Sequence, residues 1–296
     1  MNDSAPCYRD KRHIAAAFNR AAAGYAARAM LQNTVAARLE ERLDLFRVKP
    51  QLVLDVGAGC GNGSRLLAKR YRQAHIVAVD LAIEMLREAR RGWTRWFSRP
   101  RYVCGDVERL PLANASVDLI YSSLALQWGN DVDATFRECR RVLKADRLFL
   151  FSTLGPDTLS ELRQSWATVD GDVHVNAFID MHDIGDALIR AGFSGPVMEV
   201  EYVTLTYADV PALMRDLKAL GAHNVSAGRW HALTGKARMR RMIEAYEQRR
   251  RDGVIPATYE IVYGHAWAPA PGARPQDGST VATFPLSQLR RPARKQ

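Results

Sequence analysis

LVLDVGAGCGNGS, residues 52–64, is the stretch that decides the fold. LVLDV is apolar on both faces, as suits a strand in a sheet covered by helices on either side. It runs into three glycines at alternate positions, Gly57, Gly59 and Gly61, and a helix-period stretch follows at once. Glycines so placed let the chain turn tightly and bring backbone close to a ligand with no Cβ in the way. Two details separate this loop from a dinucleotide fingerprint. The sixth position of the G-x-G-x-x-G pattern is Asn62, and Asp55 stands just before the glycines. That carboxylate would repel a pyrophosphate and welcome an ammonium.

Working outward, further short β-branched runs follow: HIVAVD (75–80), RYVC (101–104), VDLIYSS (117–123) and RLFLFS (147–152). Between them lie NGSRLLAKRYRQ (62–73), AIEMLREARRGW (82–93) and DATFRECRRVL (133–143), apolar at three- and four-residue spacing. The alternation predicts crossover units and a mostly parallel α/β sheet. Asp80 ends the second run, nineteen residues after Gly61, where a carboxylate can accept hydrogen bonds from ribose hydroxyls; Leu81 follows it. Asp106, in CGDVERLPL (104–112), follows the third run, where it can take an exocyclic adenine amine while Val107 offers a backbone amide. Acidic residues after three successive strands, with a glycine loop at the first, outline S-adenosylmethionine as the cofactor, its ammonium lying against Asp55.

Upstream, FNRAAAGYAARAMLQNTVAARLEERL predicts a helix pair interrupted near Gly24. Downstream, helices are expected over 158–169, 181–193, 210–222 and 235–253, and strands over 197–207 and 257–267. The expected organisation is a helical segment (1–49), a cofactor-binding core (50–153), a C-terminal part with lid insertions (154–268) and a disordered basic tail (269–296). The formal net charge is +10, but residues 1–49 and 266–296 each carry +4 of it, which argues against a nucleic-acid groove. After the fourth strand stands SSLALQW, with neither the Asn/Asp-Pro-Pro-aromatic motif of amino-group nucleic-acid methyltransferases nor a nucleophilic cysteine. The four cysteines (Cys7, Cys60, Cys104, Cys139) are far apart with no CxxC pair, and the histidines show no metal-ligand spacing. A reducing cytoplasm and no metal are expected. No apolar run approaches the ~18–20 residues of a membrane span, and no secretory signal is legible at residues 1–13.

Residues 50–152 resemble the cofactor-binding half of class I S-adenosylmethionine methyltransferases. More specifically, FNRAAAGY (18–25), LALQW (124–128), FSTLGPDTLSELR (151–163), LMRDLKALGAHN (213–224), AGR (227–229) and PATYEIVYGHAW (256–267) resemble the malonyl-acyl-carrier-protein O-methyltransferases of biotin synthesis. In the loop, Cys60 stands where that family more often has Pro or Thr; the glycines remain. The C-terminal stretches also resemble a mitochondrial complex I assembly protein of the same fold. The resemblance implies a Rossmann-like class I fold with an antiparallel last strand and helical lid insertions. It also implies methyl transfer to the free carboxylate of a malonyl group borne on acyl carrier protein or coenzyme A, by a monomer that uses no nucleic acid and no membrane.

Such a carboxylate is already ionised near pH 7, so no general base is required and recognition becomes the main task. Arg229 is the candidate to hold the malonyl carboxylate, because a planar guanidinium suits that group. Tyr25 is expected beside the reacting groups, and Arg20 is expected to pair with the cofactor's methionyl carboxylate. Ser123, Gln127 and Trp128 fall at the carboxyl end of the fourth strand, with Ser123 or Gln127 lining the substrate side. The basic stretch Lys236, Arg238, Arg240, Arg241, Arg249, Arg250 and Arg251 is a candidate dock for an acidic carrier protein.

Overall fold

A computed structural model describes residues 10–94, 99–221 and 235–270. Seven strands form one sheet: β1 (Leu52–Val56), β2 (His75–Asp80), β3 (Arg101–Cys104), β4 (Val117–Ser123), β5 (Leu143–Leu154), β6 (Ser194–Tyr207) and β7 (Ile255–Ala268). Their order across the sheet is β3-β2-β1-β4-β5-β7-β6. The first five are parallel neighbours, and β7 runs antiparallel to both β5 and β6. Crossover helices connect the parallel strands: α3 (Asn62–Arg70), α4 (Ile83–Arg91) and α5 (Val132–Val142).

The period-two pattern of the strands assigns their side chains to two cores. Val53, Leu119, Leu148 and Leu150 face one side, packing with Leu31, Val35 and Leu39 of α2 (Met30–Glu41) and Leu67 of α3. Leu54, Val56, Ile120, Phe149 and Phe151 face the other, against Phe136 and Cys139 of α5 and Ile184 and Leu188 of α7 (Met181–Arg190). Burial on both faces is why these runs are apolar throughout rather than alternating with polar residues. On the α2 side, α6 (Ser160–Ala167), α8 (Val210–Ala219) and α9 (Lys236–Glu247) complete the layer through Leu162, Leu213 and Met242.

Helix α1 (Lys11–Arg28) continues through Gly24, and the break falls at Ala29 instead. Gly24 is exposed and flanked by alanines, the best helix formers, whose propensity offsets the roughly 1 kcal/mol cost of one glycine. Ala29 leaves helical geometry at φ −75°, ψ 44°, is buried at 2% exposure and donates to the Tyr25 carbonyl. Helix α9 stops at Glu247, short of the predicted 253. Arg250 folds back there to bond Glu247 and the carbonyls of Ala208 and Gly253. The 269–296 tail expected from composition lies, from residue 271 on, outside the described residues.

Candidate active site

The carboxyl ends of the parallel strands open into a cleft of about 870 Å³. Four loops form its floor, those after β1, β2, β3 and β4, and α1 crosses over it. Ile14, Phe18, Ala22 and Tyr25 recur at helical spacing along α1. Ala22 packs on Ala82 and Met85 beyond β2, with Phe18, Tyr25 and Cys60 beside them. Trp128 sits edge-on to Phe18, with ring centroids 5.1 Å apart, and joins this roof to the turn after β4.

All three loop glycines have positive φ: 71° at Gly57, 51° at Gly59 and 80° at Gly61. A Cβ on Gly57 would lie 2.1 Å from the Ala125 Cβ, so the β1 and β4 turns touch only because Gly57 has none. A Cβ on Gly59 would meet nothing within 4 Å, which leaves its backbone bordering open space in the cleft. Gly61 does not line the cleft; it is the left-handed N-cap of α3 and shapes the loop from below.

Asp55 is 2% exposed at the end of β1 and accepts a 2.6 Å hydrogen bond from the Ser64 hydroxyl. Burial, reinforced by the nearby Asp80, pushes its carboxyl up to about 7 despite that hydrogen bond. Asp80 is pinned at both oxygens: Gly59 N–H donates to Oδ2 and Ala82 N–H to Oδ1, each at 2.8 Å. Burial raises its pKa too, against the opposing backbone donors. Asp106 accepts from Lys11 Nζ at 2.9 Å and from the Glu108 N–H at 3.1 Å, both at Oδ1. Lys11 also reaches Glu108 at 3.2 Å, so the start of α1 is tied to the β3 loop.

These three carboxylates line one cleft together with Tyr25, Gly57, Gly59, Leu81, Val107, Ser123, Gln127 and Trp128. Burial, reinforced by the nearby Asp80, raises the Tyr25 phenol far above the ordinary range, so it stays protonated. Gln127 is spoken for: its Nε2 donates to the Leu124 carbonyl at 2.7 Å and its Oε1 accepts from Thr153 at 3.3 Å. It therefore braces the β4 turn.

Arg20 corrects an expectation. It is exposed and does not line the cleft, because it falls two positions from both Phe18 and Ala22 on the inward row, on the opposite side of the helix. Arg229 lies outside the described residues.

The same cleft has a further wall that sequence reading missed. Thr204, Thr206 and Tyr207 from the end of β6, Asp216 of α8 and Tyr259 of β7 line it, and Tyr207 donates to Asp216 at 2.9 Å. Period-two alternation along β6 marks Tyr207 as one-sided, but only the β7 pairing reveals which side. No histidine lines the cleft among the described residues. The Asp170–Asp172–His174 cluster lies away from the cleft, and Arg238 bridges both of its carboxylates.

A glycine loop, carboxylates at three successive strand tips and this strand order define a class I S-adenosylmethionine-type methyltransferase fold. The Methyltransferase domain family matches residues 54–151, which span β1 to β5. Solved structures agree on the fold. A candidate methyltransferase of Bacillus halodurans is 18% identical with a TM-score of 0.56, covering 80% of this chain and 100% of that one. The YcgJ protein of Bacillus subtilis is 17% identical with a TM-score of 0.55, covering 80% and 99%. Sequence relatives narrow the class. The malonyl-[acyl-carrier protein] O-methyltransferase of Gallionella capsiferriformans is 52% identical over 92% of this chain and 95% of its own length. That of Laribacter hongkongensis is 53% identical over 94% and 96%. The chain belongs to the malonyl-[acyl-carrier protein] O-methyltransferase family and is a methyltransferase.

Proposed function

We propose that this enzyme methylates the free carboxylate of a malonyl thioester carried on acyl carrier protein, or on coenzyme A, with S-adenosylmethionine as donor. The resulting methyl ester primes pimeloyl synthesis for biotin. The observation that carries this reading is a single cleft lined by Asp55, Asp80 and Asp106 at the tips of three successive strands, with no histidine base along its described walls. The names of the relatives at 52% and 53% identity support the malonyl-carrier substrate.

The residues fit the cofactor. The space over Gly59 leaves room for a ligand against the loop, and Asp80 is held by two backbone donors at the tip of β2, ready to accept from a ribose diol. Asp106 meets Lys11 and Glu108 with Oδ1, which leaves Oδ2 to face an adenine amine. Asp55 supplies the negative charge for the ammonium. S-adenosylmethionine supplies a methyl group already activated by its sulfonium.

The chain's own work is alignment and exclusion of water, an orientation effect of ~7–11 kcal/mol in favourable cases. The substrate carboxylate is ionised without assistance. Tyr25, kept protonated, donates beside the reacting groups and removes no proton. In this reading Arg229 holds the malonyl carboxylate, and the insertions within 155–253, apart from β6 and α7, form the lid. The cysteines Cys60, Cys104 and Cys139 are free, which suits a reducing compartment, and no described helix is long and apolar enough to cross a membrane.

The test is rescue of a biotin-requiring strain that lacks its own malonyl methyltransferase, paired with transfer of a labelled methyl group to malonyl-carrier protein in vitro. Growth without biotin and labelled ester are expected. Labelling of neither carrier nor coenzyme A thioester refutes the reading.

A further inference from the structure

The substrate proposed above arrives on a small acidic protein, and the structure distinguishes between two basic helices as its landing place. The C-terminal basic stretch, α9 and the residues just beyond it, is partly neutralised by neighbouring carboxylates. Arg238 is committed to Asp170 and Asp172, Arg240 lies 3.8 Å from Glu244, and beyond the helix Arg250 pairs with Glu247 while Arg249 donates to Gln164. No α9 residue lines the cleft.

Helix α1 differs in having no acidic residue of its own and in lining the cleft. It carries Lys11, Arg12, His13, Arg20 and Arg28 and no acidic residue at all. Its ion pairs among the described residues are those of Lys11 and His13, so Arg12, Arg20 and Arg28 stand exposed, and among the described residues no carboxylate forms an ion pair with their guanidinium groups. The inward row of Ile14, Phe18, Ala22 and Tyr25 fixes the rotation of the helix. Helical spacing then sets Arg12, Ala16, Arg20, Ala23 and Ala27 together on the outward side, where small residues between the arginines let a second helix approach closely. The row ends at the rim of the cleft. Arg28 and Met30 both line it, and Met30 is 70% exposed, a large apolar side chain at the mouth of a binding site. Arg20 lies eight residues from Arg28, roughly 12 Å along the helix axis.

We propose that the outward face of α1 is the docking surface for the acidic carrier protein, with Arg12 and Arg20 meeting its carboxylates and Arg28 and Met30 receiving the base of its prosthetic arm at the cleft rim. The proposal rests on the malonyl-carrier reading above. Cationic side chains on such a surface raise the encounter rate with an acidic partner and fix its orientation, and their effect weakens as salt screens them.

The experiment compares the wild type with R12E/R20E and with R240E/R241E, neither pair touching the cleft. KM and kcat are measured on malonyl-carrier protein and on malonyl-coenzyme A over a salt series. Binding of fluorescently labelled holo-acyl carrier protein is followed separately by anisotropy. For R12E/R20E, the carrier KM and the holo-carrier Kd rise roughly tenfold or more and their salt dependence flattens. Its kcat and its kinetics on malonyl-coenzyme A stay within about twofold of wild type, and R240E/R241E behaves as wild type on both substrates. Should R12E/R20E fold poorly by circular dichroism, R12Q/R20Q gives the same pattern at smaller amplitude. Unchanged carrier binding in the α1 variants, or a loss confined to R240E/R241E, overturns the proposal. Absence of methylation on both thioesters refutes the substrate reading instead, and anisotropy still decides the docking surface: a wild type that fails to bind holo-carrier overturns it.

Discussion

Cofactor affinity in this enzyme should follow the ionisation of Asp55. Its carboxyl sits near 7 because it is buried at the end of β1 with Asp80 close by, and the Ser64 hydroxyl only partly compensates. Only the ionised form attracts an ammonium, so cofactor binding displaces a proton at any pH below about 7. Between pH 7.5 and 5.5 the ionised fraction falls roughly twenty-five-fold, equivalent to about 1.9 kcal/mol of binding free energy. That range keeps the cofactor's α-amino group mostly charged. The assay is isothermal titration with S-adenosylhomocysteine, which carries the same amino-acid end, in two buffers of different ionisation enthalpy. We expect affinity to weaken on acidification and about half a proton to be released near pH 7. Asp55→Asn should bind weakly and lose most of the pH dependence. For the protein without cofactor the sign is opposite. The native state holds the Asp55 proton up to about 7 while the unfolded chain releases it near 3.8, so stability from this group falls as pH rises through that window. A cofactor affinity constant across pH 5.5–7.5, with no proton exchange in either buffer, refutes the placement of the ammonium at Asp55.

Gly57→Ala puts a Cβ 2.1 Å from the Ala125 Cβ at a positive φ, and should cost about 2 kcal/mol or more in urea unfolding; a wild-type midpoint would contradict the packing described. Asp80→Ala removes the carboxylate shared by Gly59 and Ala82 and should weaken calorimetric cofactor affinity at least tenfold, ~1.4 kcal/mol, so unaltered affinity would remove the pocket assignment. Arg229→Ala should cripple turnover on malonyl-carrier protein while cofactor affinity stays near wild type; equal activity of the variant would take Arg229 out of the site.

Much of the fold could be read ahead of the structure because both its signals are local. Strands 52–56, 75–80, 101–104 and 117–123 fall where the apolar runs place them, residue for residue. The three carboxylates converge because each ends or follows a parallel strand, and parallel strands bring their carboxyl tips to one edge. What escaped was set by distant partners. β5 begins at Leu143 and β6 at Ser194, ahead of their predicted starts, because pairing with neighbouring strands extends them past the apolar stretch. Tyr207 and Asp216 meet across an intervening turn, a relation that no periodicity encodes. Arg20 could have been read correctly. The row Ile14, Phe18, Ala22 and Tyr25 turns it outward, a matter of helical phase that the residue spacing encodes.

The place of β7 has a consequence for how the chain is made. A ribosome delivers β5 and β6 well before β7, yet β7 lies between them and supplies hydrogen bonds to both. Until residues 255–268 emerge, the nascent sheet ends at a bare β5 edge, and β6 has no strand in the sheet with which to pair. The half that carries the glycine loop can therefore assemble early, while the cleft wall that Tyr259 completes must wait for β7. Cellular yield of full-length enzyme should depend on chaperones that shield the β5 edge during that interval.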